Sequence, residues 1–394
     1  MFEKNKNNIA DTIKTLIYTE NQNLFNLIDF EDDFIYLEPM LFAYFNSDEN
    51  SRQKLPIEQL LYSYMKYDAQ NKGVKVKSDT KGNIYIPNIG NFSIKTKNKE
   101  LILRKDNIEY TLLTGSGKTK FSFTPCSKIS KFNVEIIERN NALLANSFRT
   151  NDMNIVSNVR IKESTNKHLE NINKAFYFIG VECPKVANNI SKSLRKVVIF
   201  NSQELNSFAS FSFHGIAFLN ASSSDYDEVF FIDDISHQAG HVFFNMETYD
   251  KESYFKVNPN STVMSLDGNF KNDERSIYVV FHALFTYTQI LNTLHTYYSK
   301  KCGNKKQLRE VIGRICFYLS KFKKDIECFS IITKCDSPET ILTKKSTEVF
   351  NEFREIFDSY IKKWDKYFNK VSLSKQPYNF DYKIFNIENK NIEI

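Results

Sequence analysis

The sequence predicts an α+β fold that is mainly helical and contains a small antiparallel sheet. Apolar residues recur at helical spacing through most of the chain, whereas residues 74–125 alternate between apolar and polar side chains. Two apolar runs, at residues 196–200 and 211–219, have the composition of buried strands. These three observations favour helices that pack around a few strands.

Residues 1–130 are predicted to form a helical region that carries the small sheet and recruits a substrate. The stretch 8–72 is expected to be helical because its apolar residues repeat at helical spacing. Alternating patterns at residues 83–86 and 92–95, separated by proline and glycine, predict a hairpin. Further apolar runs that extend this sheet lie at residues 101–103 and 110–113.

Residues 131–375 are predicted to form a second domain. Its expected helices lie at residues 131–180, 226–247, 273–299 and 304–370. The helix at 226–247 follows a run of serines and Asp225, which offer N-cap chemistry. Residues 376–394 are rich in asparagine, so we expect a loosely ordered tail there.

Composition and charge indicate a globular protein that binds neither nucleic acid nor membranes. Hydrophobic residues make up 41% of the 394 residues, which supports a substantial core. The net charge is +6, but lysine and arginine are interspersed with acidic residues and form no basic stripe. No apolar run approaches the roughly 18 residues that a membrane-spanning helix needs.

Cysteine usage and the N-terminal segment favour a cytoplasmic location. The six cysteines form no CxxC pair, so in a chain of this length we expect reduced thiols. The first residues are polar and charged and lack the apolar segment of a secretory signal peptide.

The most informative motif is H-Q-A-G-H at residues 237–241. His237 and His241 lie four residues apart, so a helix places both imidazoles on one face, where they can reach one metal ion. The spacing matches the zinc-peptidase motif H-E-x-x-H, except that Gln238 replaces the glutamate that takes a proton from metal-bound water. The alternative interpretation is a pair of core histidines with polar partners.

A third ligand is expected on the following helix. His282 lies there on a stripe shared with Arg275 and Tyr278, since seven residues make about two turns. Asp273 and Glu274 are carboxylate alternatives for the third ligand. The stripe is also compatible with ordinary amphipathic packing.

The residue types in this cluster indicate a particular chemistry. Three neutral imidazoles would leave a divalent metal with its full charge, so the site would accept an anionic chelator such as a 2-oxo acid; imidazole suits iron and zinc about equally. Arg275 could hold a far carboxylate in a bidentate fork, and Gln238 could donate a hydrogen bond to a metal-bound oxygen or to substrate. Asp233 and Asp234 could orient an imidazole or, alternatively, cap the helix.

A glycine-containing segment at residues 114–119 has the appearance of a phosphate-binding loop. Its first glycine position is occupied by Leu112, and the residues that follow alternate like a strand. A phosphate cradle needs a helix at that point, so we interpret the segment as a turn.

Together, residues 205–295 resemble the HExxH-type peptide-modification proteins, proposed iron/2-oxoglutarate-dependent peptide β-hydroxylases found beside ribosomally made peptide precursors. The resemblance rests on the apolar run 211–219, the H-Q-A-G-H helix, and Arg275 seven residues before His282. It implies a zincin-like metal-site domain that hydroxylates a side chain of a peptide.

By this resemblance His237, His241 and His282 would hold iron(II), and Arg275 would bind 2-oxoglutarate. Gln238 and Tyr278 are the candidate catalytic residues, and Gln238 departs from the family's glutamate. The strand at residues 211–219 would present an edge to an extended peptide.

Two other functions are compatible with the same motif. The first is a catalytically inactive zincin-like module that binds zinc and a peptide. The second is a metalloprotease whose base is displaced to Glu247 or Glu252. The sequence selects no oligomeric state.

Overall fold

The computed structural model describes residues 2–49, 55–150, 152–266, 273–332 and 338–391. Helices predominate in these residues, and the strands form small, largely antiparallel sheets, which confirms the expected mainly helical α+β class. None of the described helices is long and apolar enough to cross a membrane.

The chain divides into two compact units, and each is built from two segments. The first unit comprises Met1–Leu169 and Ser193–Ser224, and the second comprises Glu170–Lys192 and Asp225–Ile394. The division therefore does not follow the single boundary near residue 130 that the sequence suggested.

The first unit opens with one long helix and four short ones in place of the continuous helical region expected over 8–72. Their bounds are Phe2–Asn21 (α1), Asp33–Tyr36 (α2), Pro39–Phe45 (α3), Ile57–Leu61 (α4) and Tyr67–Lys72 (α5). Proline explains two of the breaks: Pro39 opens α3, and Pro56 is the residue before α4.

The strands of the first unit form three small sheets. Their bounds are Val74–Lys77 (β1), Asn83–Ile86 (β2), Gly90–Ser93 (β3), Glu100–Asp106 (β4), Glu109–Thr114 (β5), Gly117–Thr119 (β6), Ser122–Pro125 (β7), Ser127–Ile129 (β8), Val134–Ile136 (β9), Lys196–Phe200 (β10) and Ile216–Asn220 (β11). The sheet orders are β1-β4-β5-β6, β2-β3-β7 and β11-β10-β9-β8. Pairing is antiparallel except that β10 runs parallel to both β9 and β11.

Two sequence patterns in this unit were interpreted correctly. The predicted hairpin is β2 with β3, in which Ile84 lies opposite Phe92. The glycine-containing segment 114–119 is the hairpin between β5 and β6, with Thr114 opposite Gly117. No helix follows it, so the phosphate-binding interpretation is correctly excluded.

Two other patterns were interpreted wrongly. The stretch 131–180 contains β9 and a 3-10 turn at Leu144–Ser147, and its α-helix begins only at Lys162. The run 211–219 is a 3-10 turn at Phe211–Phe213 followed by β11. Gly215 separates them with φ +88°, a left-handed conformation that ends any extended strand and that a β-carbon would strain.

Long helices make up most of the second unit. Lys162–Glu182 (α6) contributes residues to both units, and the helices that follow are Pro184–Ser193 (α7), Glu228–Glu247 (α8), Val263–Leu266 (α9), Ile277–Ser299 (α10), Lys305–Ile332 (α11), Lys344–Phe368 (α12) and Tyr382–Glu388 (α13). Helix α10 packs against both α8 and α11. The Asp227 carboxylate accepts from the backbone N–H of Val229 and so fixes the start of α8 near its predicted position.

The C-terminal segment is ordered by aromatic packing, so the prediction of a loosely ordered tail is wrong for its described part. Phe380 and Phe385 are buried, and Phe380 stacks edge-on against Phe317 of α11 with ring centroids 5.8 Å apart. Asp381 caps α13. The prediction relied on the asparagine content of the tail and overlooked these two phenylalanines, whose burial holds the segment in place.

Candidate functional site

The three predicted histidines lie side by side in the second unit. The rings of His237 and His241, one turn apart on α8, have centroids 4.8 Å apart. The ring of His282 on α10 lies 4.7 Å from that of His241. The sequence therefore identified three side chains that the packing of α8 on α10 brings together.

Gly240 lies where these two helices pack on each other. A β-carbon at this position would lie 3.4 Å from Thr286 Cγ2 and 3.4 Å from Gln289 Cγ, both on α10. These are close van der Waals distances, so the contact has room for little more than an alanine, and a glycine within a helix costs about 1 kcal/mol relative to alanine.

Burial keeps the three imidazoles neutral. It lowers the pKa of His241 to about 4 and the pKa of His237 and His282 well below the usual range; the neighbouring imidazole of His241 lowers both of the latter further. Nε2 of His282 is buried and has no hydrogen-bond partner in the described part of the chain. Neutral imidazoles with an unused nitrogen are suitable metal ligands.

Two ring spacings in the histidine cluster are close to those of imidazoles that share a metal ion. Two imidazoles that bind one ion at about 2.1 Å with tetrahedral geometry have centroids about 5 Å apart. However, no group of three or more His, Cys, Asp or Glu residues among those described is arranged so that it could hold a metal ion. The donor types suit a metal ion, and the two measured ring spacings are compatible with one, but the described residues do not form a three-ligand arrangement.

Gln238, within the histidine motif, makes a hydrogen bond to an acidic side chain of the same helix. It is 2% exposed, and its Nε2 donates to Asp234 Oδ1 at 3.2 Å, while its Oε1 is buried without a hydrogen-bond partner in the described structure. Asp233 instead pairs with Arg314 at 2.7 Å. These contacts give Asp233 and Asp234 partners other than the imidazoles that the sequence suggested.

Tyr278 packs against the third histidine. Its ring centroid lies 5.4 Å from that of His282, and its hydroxyl is 2.9 Å from Thr248 Oγ1 and 3.1 Å from Asn245 Oδ1. Burial raises the pKa of Tyr278 to about 12, so the phenol stays protonated near neutral pH. The hydroxyl is therefore held by neighbouring side chains, and the ring supports His282.

Arg275 precedes α10 and already binds two carboxylates. Its Nε and Nη2 donate to Asp273 at 2.9 and 2.7 Å, and its Nη1 and Nη2 donate to Asp325 of α11 at 3.2 and 2.8 Å. Asp325 also accepts from the Tyr287 hydroxyl at 3.0 Å. The predicted stripe thus reduces to Tyr278 and His282, because Arg275 lies before the helix begins.

Two lysines that sequence reasoning missed flank the histidines. Lys251 Nζ lies 4.0 Å from the centre of the Tyr278 ring, and its charge helps to lower the pKa of His282. Lys321 Nζ donates to the carbonyl of Tyr378 at 2.7 Å; burial lowers its pKa to about 8, and its charge acts on His237. No local pattern marks either lysine, since each is placed by residues distant in sequence.

No protein-family model matches this chain, and no curated protein matches it in sequence. The histidine site is therefore the feature of the chain that indicates a function.

Proposed function

We propose that the protein is an iron(II)- and 2-oxoglutarate-dependent oxygenase that hydroxylates a side chain of a peptide, such as a ribosomally synthesised precursor. The observation that carries the proposal is the cluster of three neutral, neighbouring imidazoles from α8 and α10. Such a donor set leaves a bound ion its full positive charge and favours an anionic chelating co-substrate.

The residue at position 238 favours oxidation over hydrolysis. A glutamine amide cannot take a proton from a metal-bound water near neutral pH as the glutamate of hydrolytic sites does. In this proposal iron and 2-oxoglutarate, when bound, supply the oxidising chemistry. His237, His241 and His282 hold the metal, Gln238 offers its unpartnered Oε1 to a substrate donor, and Tyr278 fixes the ring of His282.

The distribution of charge suggests a different partner for the far carboxylate of the co-substrate. The two carboxylates of Asp273 and Asp325 more than neutralise the positive charge of Arg275. Lys251, in contrast, makes no ion pair with any carboxylate in the described ranges. Burial lowers the pKa of Lys251, as expected for a partly desolvated ammonium group without a counter-charge. In the proposal Lys251 meets the carboxylate, and Arg275 positions the start of α10 against α11.

An inactive zincin-like module that binds zinc and a peptide is the second candidate. The observation in its favour is that Asp273 and Asp325 already fill the guanidinium fork of Arg275. A protease with a displaced base has less support. Glu247 accepts from the Tyr254 hydroxyl at 3.1 Å and lies 3.6 Å from Lys345, while Glu252 is exposed.

To test the proposal, iron(II) and 2-oxoglutarate are added to the protein without oxygen. The absorbance of the visible charge-transfer band of the iron–2-oxo-acid chelate is then measured. The band should be absent in His282→Ala and weaker in Lys251→Met. It should be unchanged in Lys256→Met, which removes an exposed charge five residues away.

Metal content provides an independent measurement. His237→Ala and His241→Ala should each lose bound iron in equilibrium dialysis. One equivalent retained by both variants would exclude the histidine site. Tightly bound zinc with no consumption of 2-oxoglutarate would favour the inactive module instead.

A further inference from the structure

A second candidate binding site lies at the C-terminal end of α10, in a surface pocket of about 340 Å³. It shares no residue with the histidine site, and its lining is aromatic and cationic. The main lining residues are His295, Tyr298, Lys301, Lys363, Trp364 and Tyr367. The volume lies within the range of about 300–1,000 Å³ typical of small-ligand pockets.

Two buried polar atoms in this lining have no partner among the described residues. They are Nε1 of Trp364, whose side chain is 3% exposed, and Nδ1 of His295. An indole N–H can only donate, and an unpaired buried donor is costly, so an acceptor supplied by a ligand would be favourable. The two tyrosine hydroxyls of the lining already bond to each other at 2.9 Å.

The charge of the pocket favours an anion. Lys301 and Lys363 line the pocket, and neither makes an ion pair with a carboxylate in the described part of the chain. The end of α10 contributes only about half a negative charge, and the backbone N–H of Lys300 caps its last carbonyls. Two ammonium groups therefore outweigh the helix end, and the imidazole of His295 adds no negative charge.

We propose that this pocket binds a ligand in which a carboxylate is attached to a planar aromatic group. The ring packs against Tyr298 and Tyr367, whose own rings already contact Trp364, while the carboxylate accepts from the indole N–H and meets the two lysines. A free aryl acid and the C-terminal aromatic residue of a peptide share this chemistry. The proposal does not depend on the function of the histidine site.

Trp364 is the only tryptophan of the chain, so its emission reports on this pocket alone. We expect phenylacetate to change that emission saturably, with excitation at the red edge of the indole band to avoid tyrosine. Acetate lacks the ring and phenethyl alcohol lacks the charge, so each should bind about tenfold more weakly or worse.

Charge variants test the contribution of the lysines. Lys301→Met and Lys363→Met should each weaken phenylacetate binding about threefold, and the double variant about tenfold, since exposed charge pairs contribute modestly. Lys362→Met is the matched control, because Lys362 is exposed on the same helix but does not line the pocket. Equal effects of Lys362→Met and Lys363→Met would overturn the proposal.

A peptide distinguishes the two sources of the ligand. If Gly-Gly-Phe with a free carboxylate binds more tightly than phenylacetate while its C-terminal amide does not bind, the pocket takes a peptide terminus. The reverse order indicates a small aryl acid. No saturable change in Trp364 emission with either probe, or equal affinity for phenethyl alcohol, would exclude the site.

Discussion

At the scale of single residues, Gln238 shows why this chain departs from the hydrolytic motif. Its amide donates to the buried carboxylate of Asp234. A glutamate at the same position would place two carboxylates in one buried environment, where like charges repel and neither is solvated. The glutamine is thus compatible with Asp234 in a way that the usual residue is not.

Gln238→Glu should therefore destabilise the metal-free protein at neutral pH by about 2–4 kcal/mol. Burial and Asp234 would raise the pKa of the new carboxyl in the folded state. The destabilisation should be small at low pH, where the carboxyl is protonated and can still donate, and grow as pH rises through that pKa. Urea unfolding at several pH values measures it; a penalty that is independent of pH would contradict this account.

A second residue-scale feature is the buried imidazole of His214 in the first unit. It packs against Phe42 and Phe211, and neither ring nitrogen has a hydrogen-bond partner in the described ranges. Burial, and to a smaller extent the charge of Arg195, lowers the pKa of His214 to about 3. The native state therefore excludes a proton that the unfolded chain accepts below its ordinary pKa.

The free energy of unfolding should fall by about 2 kcal/mol between pH 7 and pH 5 because of His214 alone. A lowered native pKa for a basic group means that stability is present above the unfolded value of 6.5 and lost as pH falls toward about 3. His214→Phe should remove this dependence. Urea midpoints from circular dichroism provide the measurement, and an unchanged slope in the variant would refute the assignment.

At the scale of elements, the start of α10 decides which residues share a face. The sequence suggested a start at Asp273, but Ser276 caps the helix and Ile277 begins it. Arg275 binds Asp273 and Asp325 instead of continuing a helical stripe toward His282. Because the helix begins four residues later than predicted, Arg275 does not share a helical face with the histidines as the predicted carboxylate-binding residue should.

Gly240 lies at the contact between α8 and α10, where there is little room for a larger side chain. Gly240→Ala should change the free energy of unfolding by less than about 1 kcal/mol, because better helix propensity offsets the tighter contact with Thr286 and Gln289. Gly240→Leu should destabilise by about 1–3 kcal/mol through overpacking and should weaken iron binding with it. Chemical unfolding and metal titration of both variants check this, and a leucine variant of parental stability would show that the helices are not in close contact.

At the scale of the whole molecule, each unit has its own core and contains residues through which its stability can be changed or followed. His214 belongs to the first unit, whereas Trp364, Arg275 and the histidine site belong to the second. Separate cores generally allow separate unfolding transitions.

A change in the stability of one unit should therefore leave the other transition in place. Arg275→Met leaves Asp325 buried without its cation, which should cost about 3–5 kcal/mol and shift the urea midpoint reported by Trp364 emission. His214→Phe at pH 5 should shift the circular-dichroism midpoint of the first unit and leave Trp364 emission unchanged. Equal shifts of Trp364 emission in both variants would show that the chain unfolds as one cooperative unit.

Patterns that depend on neighbours in sequence were the ones that could be predicted. The hairpin of β2 and β3 follows from period-two alternation. The extent of α8 was also predicted closely, although the residue that caps it is Asp227 and not the predicted serines or Asp225. The prediction for residues 131–161 was wrong because β9 is only three residues long; one of its partners, β8, is equally short, and the other, β10, lies about sixty residues further along the chain. Periodicity carries no signal for a strand of three residues.

The sequence by itself determined that His237 and His241 share one helical face, because four residues make about one turn. It also identified His282 on the following helix as their companion. Only the tertiary structure decided that Asp325, fifty residues from Arg275, neutralises that guanidinium and that Lys251 stands over Tyr278. The strength of an ion pair or a cation–ring contact depends on burial and on the distance between the groups. Neither burial nor distance can be read from the residues that are neighbours in sequence.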